Sequence, residues 1–156
     1  LVALAWHLNR SRRLEPDPAA AVQLRARMHG QGLRDGITLI GEQPPERRAQ
    51  AYQQAQVFVL PSYHEGYGMV FAEALAHGLP VVSTMAGAIV DTVPATASLL
   101  VPPGDVTALR EALRQVITDA PLRARLTQAA QTVAGTLPDW TETVARWAAA
   151  LDQVSR

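Results

Sequence analysis

The sequence contains no cysteine and no lysine, and neither sign of charge is in excess. Its 156 residues include 14 basic side chains, all of them arginine, and 14 acidic ones, so the formal net charge is zero. The lack of cysteine excludes disulfides and thiol chemistry, and the lack of lysine excludes any mechanism that needs a lysine of this chain. The balanced charge offers no basic face for nucleic acid. No apolar run approaches the roughly 18 residues of a membrane-spanning helix.

What is present is the composition of one ordinary globular domain, with 48% apolar and 18% charged residues. A chain of this length buries roughly 70% of the surface that it exposes when unfolded, so its core needs no structural metal. The chain opens at Leu1 with an apolar stretch that no positively charged segment precedes, which does not fit a signal peptide. We expect that this stretch is a buried strand and that the chain is the later part of a longer protein.

Short apolar runs alternate with segments of helical period, which is the pattern of βα units on a parallel sheet. The runs predict strands at residues 1–6, 37–40, 57–60, 80–83 and 98–101. The periodic segments predict helices at 18–31, 45–54, 68–77, 88–93, 106–117, 121–134 and 139–154, with Asp105 as an N-cap. Unbroken apolar strands are typical of sheets that helices cover on both faces. We therefore expect an α/β fold, a doubly wound parallel sheet with additional C-terminal helices.

The segment with the most chemical information is residues 61–80, which read PSYHEGYGMVFAEALAHGLP. A buried strand ends at Leu60, a loop crosses the carboxyl edge of the sheet, and a helix starts near Gly68; ligands bind at this edge in open α/β sheets. Gly66 and Gly68 allow the backbone to approach a ligand closely. Free N–H groups in the first turn of a helix attract anions such as a diphosphate. The sequence therefore predicts a phosphate site at the start of this helix.

Glu73 stands among apolar residues of the same helix, and a helix that is apolar all round is expected to be buried. A buried glutamate needs hydrogen-bond donors, because desolvating its charge costs several kcal/mol. An arginine partner, a solvent-exposed rim or the two hydroxyl groups of a ribose would each satisfy it. The helix rise of roughly 7 Å up to Glu73 matches the distance from a bound diphosphate to a ribose. An exposed Glu73 would defeat this assignment as it is argued here from burial.

Together these residues resemble the Glu-x7-Glu signature of retaining, nucleotide-sugar-dependent glycosyltransferases of group one, with Glu65 and Glu73 on either side of Gly-Tyr-Gly. The resemblance covers about residues 20 to 150, and from 61–80 it extends through 37–41, 57–62, 81–84, Gly87 and 100–105. It implies the two-lobed GT-B architecture, in which two Rossmann-like halves face each other across a cleft. This chain resembles the C-terminal half, which binds the donor.

The resemblance also implies roles for individual residues. Glu65, the candidate catalytic residue, contacts the donor sugar, and Glu73 holds the ribose hydroxyl groups. The other candidate substrate-binding residues offer their backbone to sugar and phosphates or form a second anion-binding loop: Gly66, Tyr67, Gly68, Met69, Val70 and Gly87. The four histidines show no metal-ligand spacing, and we expect no metal and no cofactor apart from the donor substrate.

The implied reaction transfers a sugar from a nucleoside-diphosphate sugar to an acceptor hydroxyl with retention at the anomeric carbon. The acceptor is a sugar, a lipid-linked molecule or a small molecule. The closing helix, at residues 138–156, is expected to pack toward an N-terminal domain that this chain does not contain. The resemblance implies that the arginine and lysine with which the family neutralises the diphosphate lie before Leu1, so the chain alone is expected to be inactive.

Two alternatives remain open at this point. One is a binding module that recognises a nucleotide sugar without performing chemistry, and the other is a nucleotide-sugar epimerase of the same architecture. For the glycosyltransferase we expect a bacterial, cytoplasmic protein, in solution or at the inner face of the membrane, that serves polysaccharide or glycoconjugate synthesis. Nucleic acid is not an expected partner.

Overall fold

The computed structural model describes residues 2–4, 18–30, 43–66, 68–137 and 140–154. Its strands are β1 (Val2–Leu4), β2 (Val57–Leu60), β3 (Val81–Thr84) and β4 (Ser98–Val101). Its helices are α1 (Pro18–Gly30), α2 (Pro45–Gln54), α3 (Met69–Ala76), α4 (Ile89–Thr92), α5 (Val106–Thr118), α6 (Ala120–Ala134) and α7 (Trp140–Val154). A single 3-10 turn, Ala95–Ala97, leads into β4.

The described strands form one parallel sheet in the order β1-β2-β3-β4. In its register Phe58 lies beside Val81, and Val81 lies beside Ser98. Parallel neighbours need crossover connections, and α3 and α4 lie in the connections from β2 to β3 and from β3 to β4. The predicted α/β fold with a parallel sheet is confirmed.

Side chains of the strands alternate between two hydrophobic clusters, one on each face of the sheet. Phe58 and Val81 belong to the first cluster, together with residues of α2, α3, α4 and α6. Val59 and Val82 belong to the second cluster, together with residues of α5 and α6. Helices therefore cover both faces of the sheet, as the unbroken apolar runs predicted.

Two aspartates begin the helices that pack against the second cluster. The side chain of Asp105 accepts a hydrogen bond from the N–H of Ala108 at 2.9 Å, and Asp119 accepts one from the N–H of Leu122 at 2.8 Å. Each satisfies an N–H group of the first turn that has no partner within the helix. The cap predicted at Asp105 is confirmed.

Most predicted elements agree with the described ones to within one residue at each end. The strand predicted at 37–40 lies outside the described residues, as do residues 1, 5 and 6 of the first strand. The closing helix is present as α7, which exposes Val144, Trp147 and Leu151. None of the helices in the described segments has the length and apolar character that crossing a membrane requires.

Phe71 offers a test of the packing between α3 and the sheet. It is fully buried, and its ring meets that of Phe58 edge-on, with the ring centroids 5.7 Å apart. We expect Phe71→Ala to lower the free energy of unfolding by about 3–5 kcal/mol, because buried contacts are lost and a cavity remains. Chemical denaturation of the full-length protein measures this change.

The matched control is Met69→Ala, which truncates a side chain of the same helix that is 68% exposed. This variant should change the free energy of unfolding by less than about 0.5 kcal/mol. Equal losses in the two variants would contradict the packing described for α3.

Candidate functional site

Hydrogen bonds from two buried hydroxyl groups connect the carboxyl ends of β2 and β3. The hydroxyl of Ser83 donates a hydrogen bond to the carbonyl oxygen of Leu60 at 2.6 Å, and the hydroxyl of Thr84 donates one to the carbonyl oxygen of Ser62. Ser83 and Thr84 are buried, so these bonds satisfy hydroxyl groups that would otherwise lack a partner. The loops that follow the two strands therefore leave the sheet from one well-defined edge.

Helix α3 begins at this edge, directly after Gly68. Gly68 has a φ of 77°, a left-handed conformation that glycine tolerates best, and it supplies no capping side chain. The N–H of Phe71 donates to the carbonyl oxygen of Gly68 at 2.9 Å, whereas the N–H groups of Met69 and Val70 have no acceptor among the described residues. The start of α3 thus presents two free donors and the positive end of the helix dipole.

Helix α3 buries one face only. Its buried residues are Val70, Phe71, Ala74 and Leu75. Met69, Glu73 and Ala76 are exposed, so the prediction that Glu73 is buried is wrong. The sheet and α6 cover one side of α3, and small or flexible apolar residues on the open side do not require burial. The burial argument for a ribose contact is therefore lost, and the solvent-exposed rim is the correct description.

The carboxylate of Glu73 has a hydrogen-bond donor on another helix. The hydroxyl of Tyr52, on α2, donates to Oε2 of Glu73 across 3.3 Å. Tyr52 itself is buried, and its ring stacks on that of His77 with the centroids 5.1 Å apart and the planes 6° apart. Burial, reinforced by the charge of Glu73, raises the pKa of the Tyr52 phenol above its ordinary value. The phenol therefore remains a protonated donor.

Tyr52 was missed in the sequence-based reasoning. It is the one aromatic residue of α2, whose sequence is PERRAQAYQQ. A buried tyrosine hydroxyl usually has a hydrogen-bond partner, and this is the signal that could have drawn attention to it. The sequence does not show that the partner is Glu73.

Glu65 and Gly87 meet at close range across the edge of the sheet. Gly87 has a φ of 55°, and a Cβ atom placed there would lie 2.3 Å from the backbone oxygen of Glu65. The N–H of Ala88 donates to the same oxygen at 3.0 Å. The N–H of Ala88 therefore has an acceptor within the protein, and the lack of a side chain at Gly87 allows the two backbones to approach closely. Its contact with an anion stays a prediction.

The structure brings several of the predicted site residues together around one loop. A Cβ atom placed at Gly68 would lie 3.7 Å from Cγ of Glu65, which is half-buried. Gly66 is exposed, and a Cβ atom there would meet nothing within 4 Å, so open space adjoins it. Tyr67 lies outside the described residues. Within the described part of the chain, no three histidine or carboxylate side chains gather as a metal site would require.

Comparison with known proteins gives a family and several relatives. A family model described as "Glycosyl transferases group 1" matches residues 18–133. The chain is similar to the D-inositol 3-phosphate glycosyltransferase of Corynebacterium diphtheriae, with 34% identity over 100 residues that make up 64% of this chain and 23% of that protein. It is also similar to the 2-deoxystreptamine N-acetyl-D-glucosaminyltransferase of Streptomyces fradiae, with 36% identity over 118 residues, 75% of this chain and 27% of that protein. The chain thus spans about a quarter of the length of these relatives.

Solved structures show the same fold. The sucrose-phosphate synthase of Thermosynechococcus elongatus superposes with a TM-score of 0.78 and 29% identity, over 92% of this chain and 36% of that one. The HepE protein of Anabaena, solved in complex with UDP, superposes with a TM-score of 0.77 and 23% identity, over 85% of this chain and 36% of that one. Both superpositions place the described fold within larger proteins.

The close approach of Gly87 to Glu65 leads to a prediction about the loop at 61–68. Gly87→Ala should lower the free energy of unfolding by about 1–3 kcal/mol, because its methyl group would overlap the backbone of Glu65 and its φ is unfavourable for alanine. Thermal or chemical denaturation of the full-length protein measures this loss. Gly66→Ala is the matched control and should be close to neutral, since it enters open space. A Gly87→Ala variant as stable as Gly66→Ala would show that the close approach is absent in solution.

Proposed function

This chain belongs to the group 1 glycosyl transferases, and from this we propose that it is the donor-binding part of an enzyme that moves a sugar from a nucleoside-diphosphate sugar to an acceptor hydroxyl. We propose in addition that the sugar keeps its anomeric configuration. Relatives over a large part of the chain are named as glycosyltransferases, which supports the reaction class. The donor class and the stereochemistry are what the resemblance to the retaining group implies.

The observation that carries the proposal is the pair of free N–H donors at the start of α3. Met69 and Val70 present these groups at the carboxyl edge of the parallel sheet, where open α/β folds bind their ligands. A helix start is a favourable place for phosphate, because the N–H groups and the helix dipole both attract negative charge. The open space beside Gly66 leaves room for a ligand next to these donors.

The same donors suit the chemical step. When the bond from the sugar to the diphosphate breaks, negative charge accumulates on the phosphate oxygens of the leaving group. Oriented N–H groups that are already in place stabilise such charge without reorganisation. The proposal therefore assigns leaving-group stabilisation to the start of α3 and does not require a metal ion.

Two carboxylates complete the proposed site. Glu65 lies beside the start of α3 and is half-buried. We assign to it the contact with the donor sugar. Glu73 lies roughly 7 Å of helix rise beyond Gly68, on the exposed face of α3, and we assign to it the ribose hydroxyl groups. Because exposure removes the argument from burial, this assignment rests on the resemblance to the Glu-x7-Glu signature, and the exposed carboxylate remains accessible to a ligand.

The other parts of the enzyme are assigned outside this chain. The chain spans about a quarter of the length of its relatives, so we place acceptor binding and the neutralising basic pair in other parts of the protein. The apolar side chains that α7 exposes are Val144, Trp147 and Leu151, and we propose that they pack against a second lobe. On this view the 156-residue chain binds the donor and performs no transfer by itself.

The ribose assignment predicts the effect of Glu73→Gln. In the full-length protein this change should weaken the binding of the nucleoside diphosphate by about 1–3 kcal/mol, because charged hydrogen bonds become neutral ones. Isothermal titration calorimetry with UDP, GDP and ADP, using the best-bound of the three, measures the loss. Glu111→Gln is the matched control: it removes an exposed carboxylate from α5, which packs on the opposite face of the sheet. An affinity that Glu73→Gln leaves unchanged would refute the ribose contact.

The proposed stereochemistry predicts the product. With an acceptor supplied, the full-length protein should form a glycoside whose anomeric configuration equals that of the donor sugar. NMR coupling constants of the anomeric proton in donor and product give the comparison. An inverted linkage would disprove retention, and an epimerised donor with no transfer would favour the epimerase alternative.

A further inference from the structure

Tyr52 is a rigid hydrogen-bond donor at the boundary between core and solvent. Its ring contacts two other rings: it stacks on His77, and it lies 6.0 Å from Phe58 at an interplanar angle of 29°. It is only 6% exposed, yet its hydroxyl donates to the exposed Glu73. A phenol fixed in this way has very few alternative positions. The position of its oxygen is therefore set by the core.

Glu73 in isolation has no such restraint. A glutamate on the open face of a helix has three rotatable side-chain bonds, and ordering it on a ligand costs conformational entropy. A neighbouring donor that already holds one carboxylate oxygen reduces this cost before the ligand arrives. Because α2 and α3 both belong to the first hydrophobic cluster, the donor and the acceptor are parts of one packed unit.

Glu73 keeps acceptor capacity beyond this bond. Tyr52 uses one lone pair of Oε2, and a carboxylate has about four acceptor positions on its two oxygens. Two hydroxyl groups can therefore bind to Glu73 while the bond to Tyr52 persists. The hydrogen bond between the two helices and a contact with a diol are compatible.

We propose that Tyr52 is a positioning residue, which holds Glu73 in the orientation that receives the ribose hydroxyl groups of the donor. The proposal rests on the proposed function, because it requires that Glu73 contacts the ribose. Tyr52 acts through Glu73 alone and does not itself touch the ligand.

The test is Tyr52→Phe in the full-length protein, which keeps the ring and both ring contacts and removes the hydroxyl. Binding is measured with the nucleoside diphosphate that the protein binds best among UDP, GDP and ADP, and with its 2′,3′-dideoxy form, which lacks the diol. We expect the variant to bind the ribonucleotide about 3- to 10-fold more weakly and to bind the dideoxynucleotide as the unchanged protein does. The ratio of the two affinities is independent of the fraction of folded protein, so it remains informative if the variant is less stable.

A double-mutant cycle with Glu73→Ala completes the test. In the Glu73→Ala background, Tyr52→Phe should cause no further loss of ribonucleotide affinity, because the residue through which Tyr52 acts is gone. Equal weakening of both nucleotides by Tyr52→Phe would show a merely structural role and overturn the proposal, as would an unchanged ribonucleotide affinity.

The cycle also separates this proposal from the one on which it rests. If Glu73→Ala weakens ribonucleotide binding and Tyr52→Phe does not, the positioning role fails and the ribose contact stands. If Glu73→Ala leaves the ratio of ribonucleotide to dideoxynucleotide affinity unchanged, the ribose contact itself fails, and the positioning role fails with it.

Discussion

The close approach between the backbones of Gly87 and Glu65 fixes the geometry of the candidate site. A Cβ atom at Gly87 would overlap the carbonyl oxygen of Glu65, and the N–H of Ala88 bonds to that oxygen. The loop after β2 is thereby held against the loop after β3. The loop after β2 ends at Gly68, so the contact between the two loops also sets the position from which α3 starts. The two free N–H donors of α3 owe their place at the edge of the sheet to a glycine some twenty residues away.

Helix α3 meets two demands with its eight residues. Phe71 and Leu75 are fully packed in the core, and they fix the axis and rotation of the helix. Met69 and Glu73 consequently stand at defined positions on the open side. Binding groups are most precise when they belong to a regular element whose other face is locked by packing. In α3 the packed face fixes the positions of the residues, and the open face makes them accessible to a ligand.

The elements of the fold could be predicted from the sequence because their signals are local. A run such as 57–60 shows a buried strand within a few residues, and Asp105 marks the start of a helix by its own side chain. The exposure of Glu73 could not be predicted in this way. Every residue of α3 except Glu73 is apolar, and the side that becomes covered depends on α6, which lies about fifty residues further on. The contact of Tyr52 with Glu73 spans 21 residues, and no local pattern reports on it.

An exposed Glu73 changes the physical reason for a ribose contact. A buried carboxylate would have gained from a ligand mainly because desolvation had left it without partners. An exposed carboxylate is already hydrated, so a ribose must replace water, and the net gain per hydrogen bond is modest. The contribution of the contact to affinity then depends on how well the Glu73 side chain is ordered before the ligand binds. The buried ring of Tyr52 supplies that order, since its hydroxyl restrains the carboxylate without withdrawing it from solvent. The hydrogen bond from Tyr52 therefore adds order to a carboxylate that water already solvates, which is the orienting role that we propose for this residue.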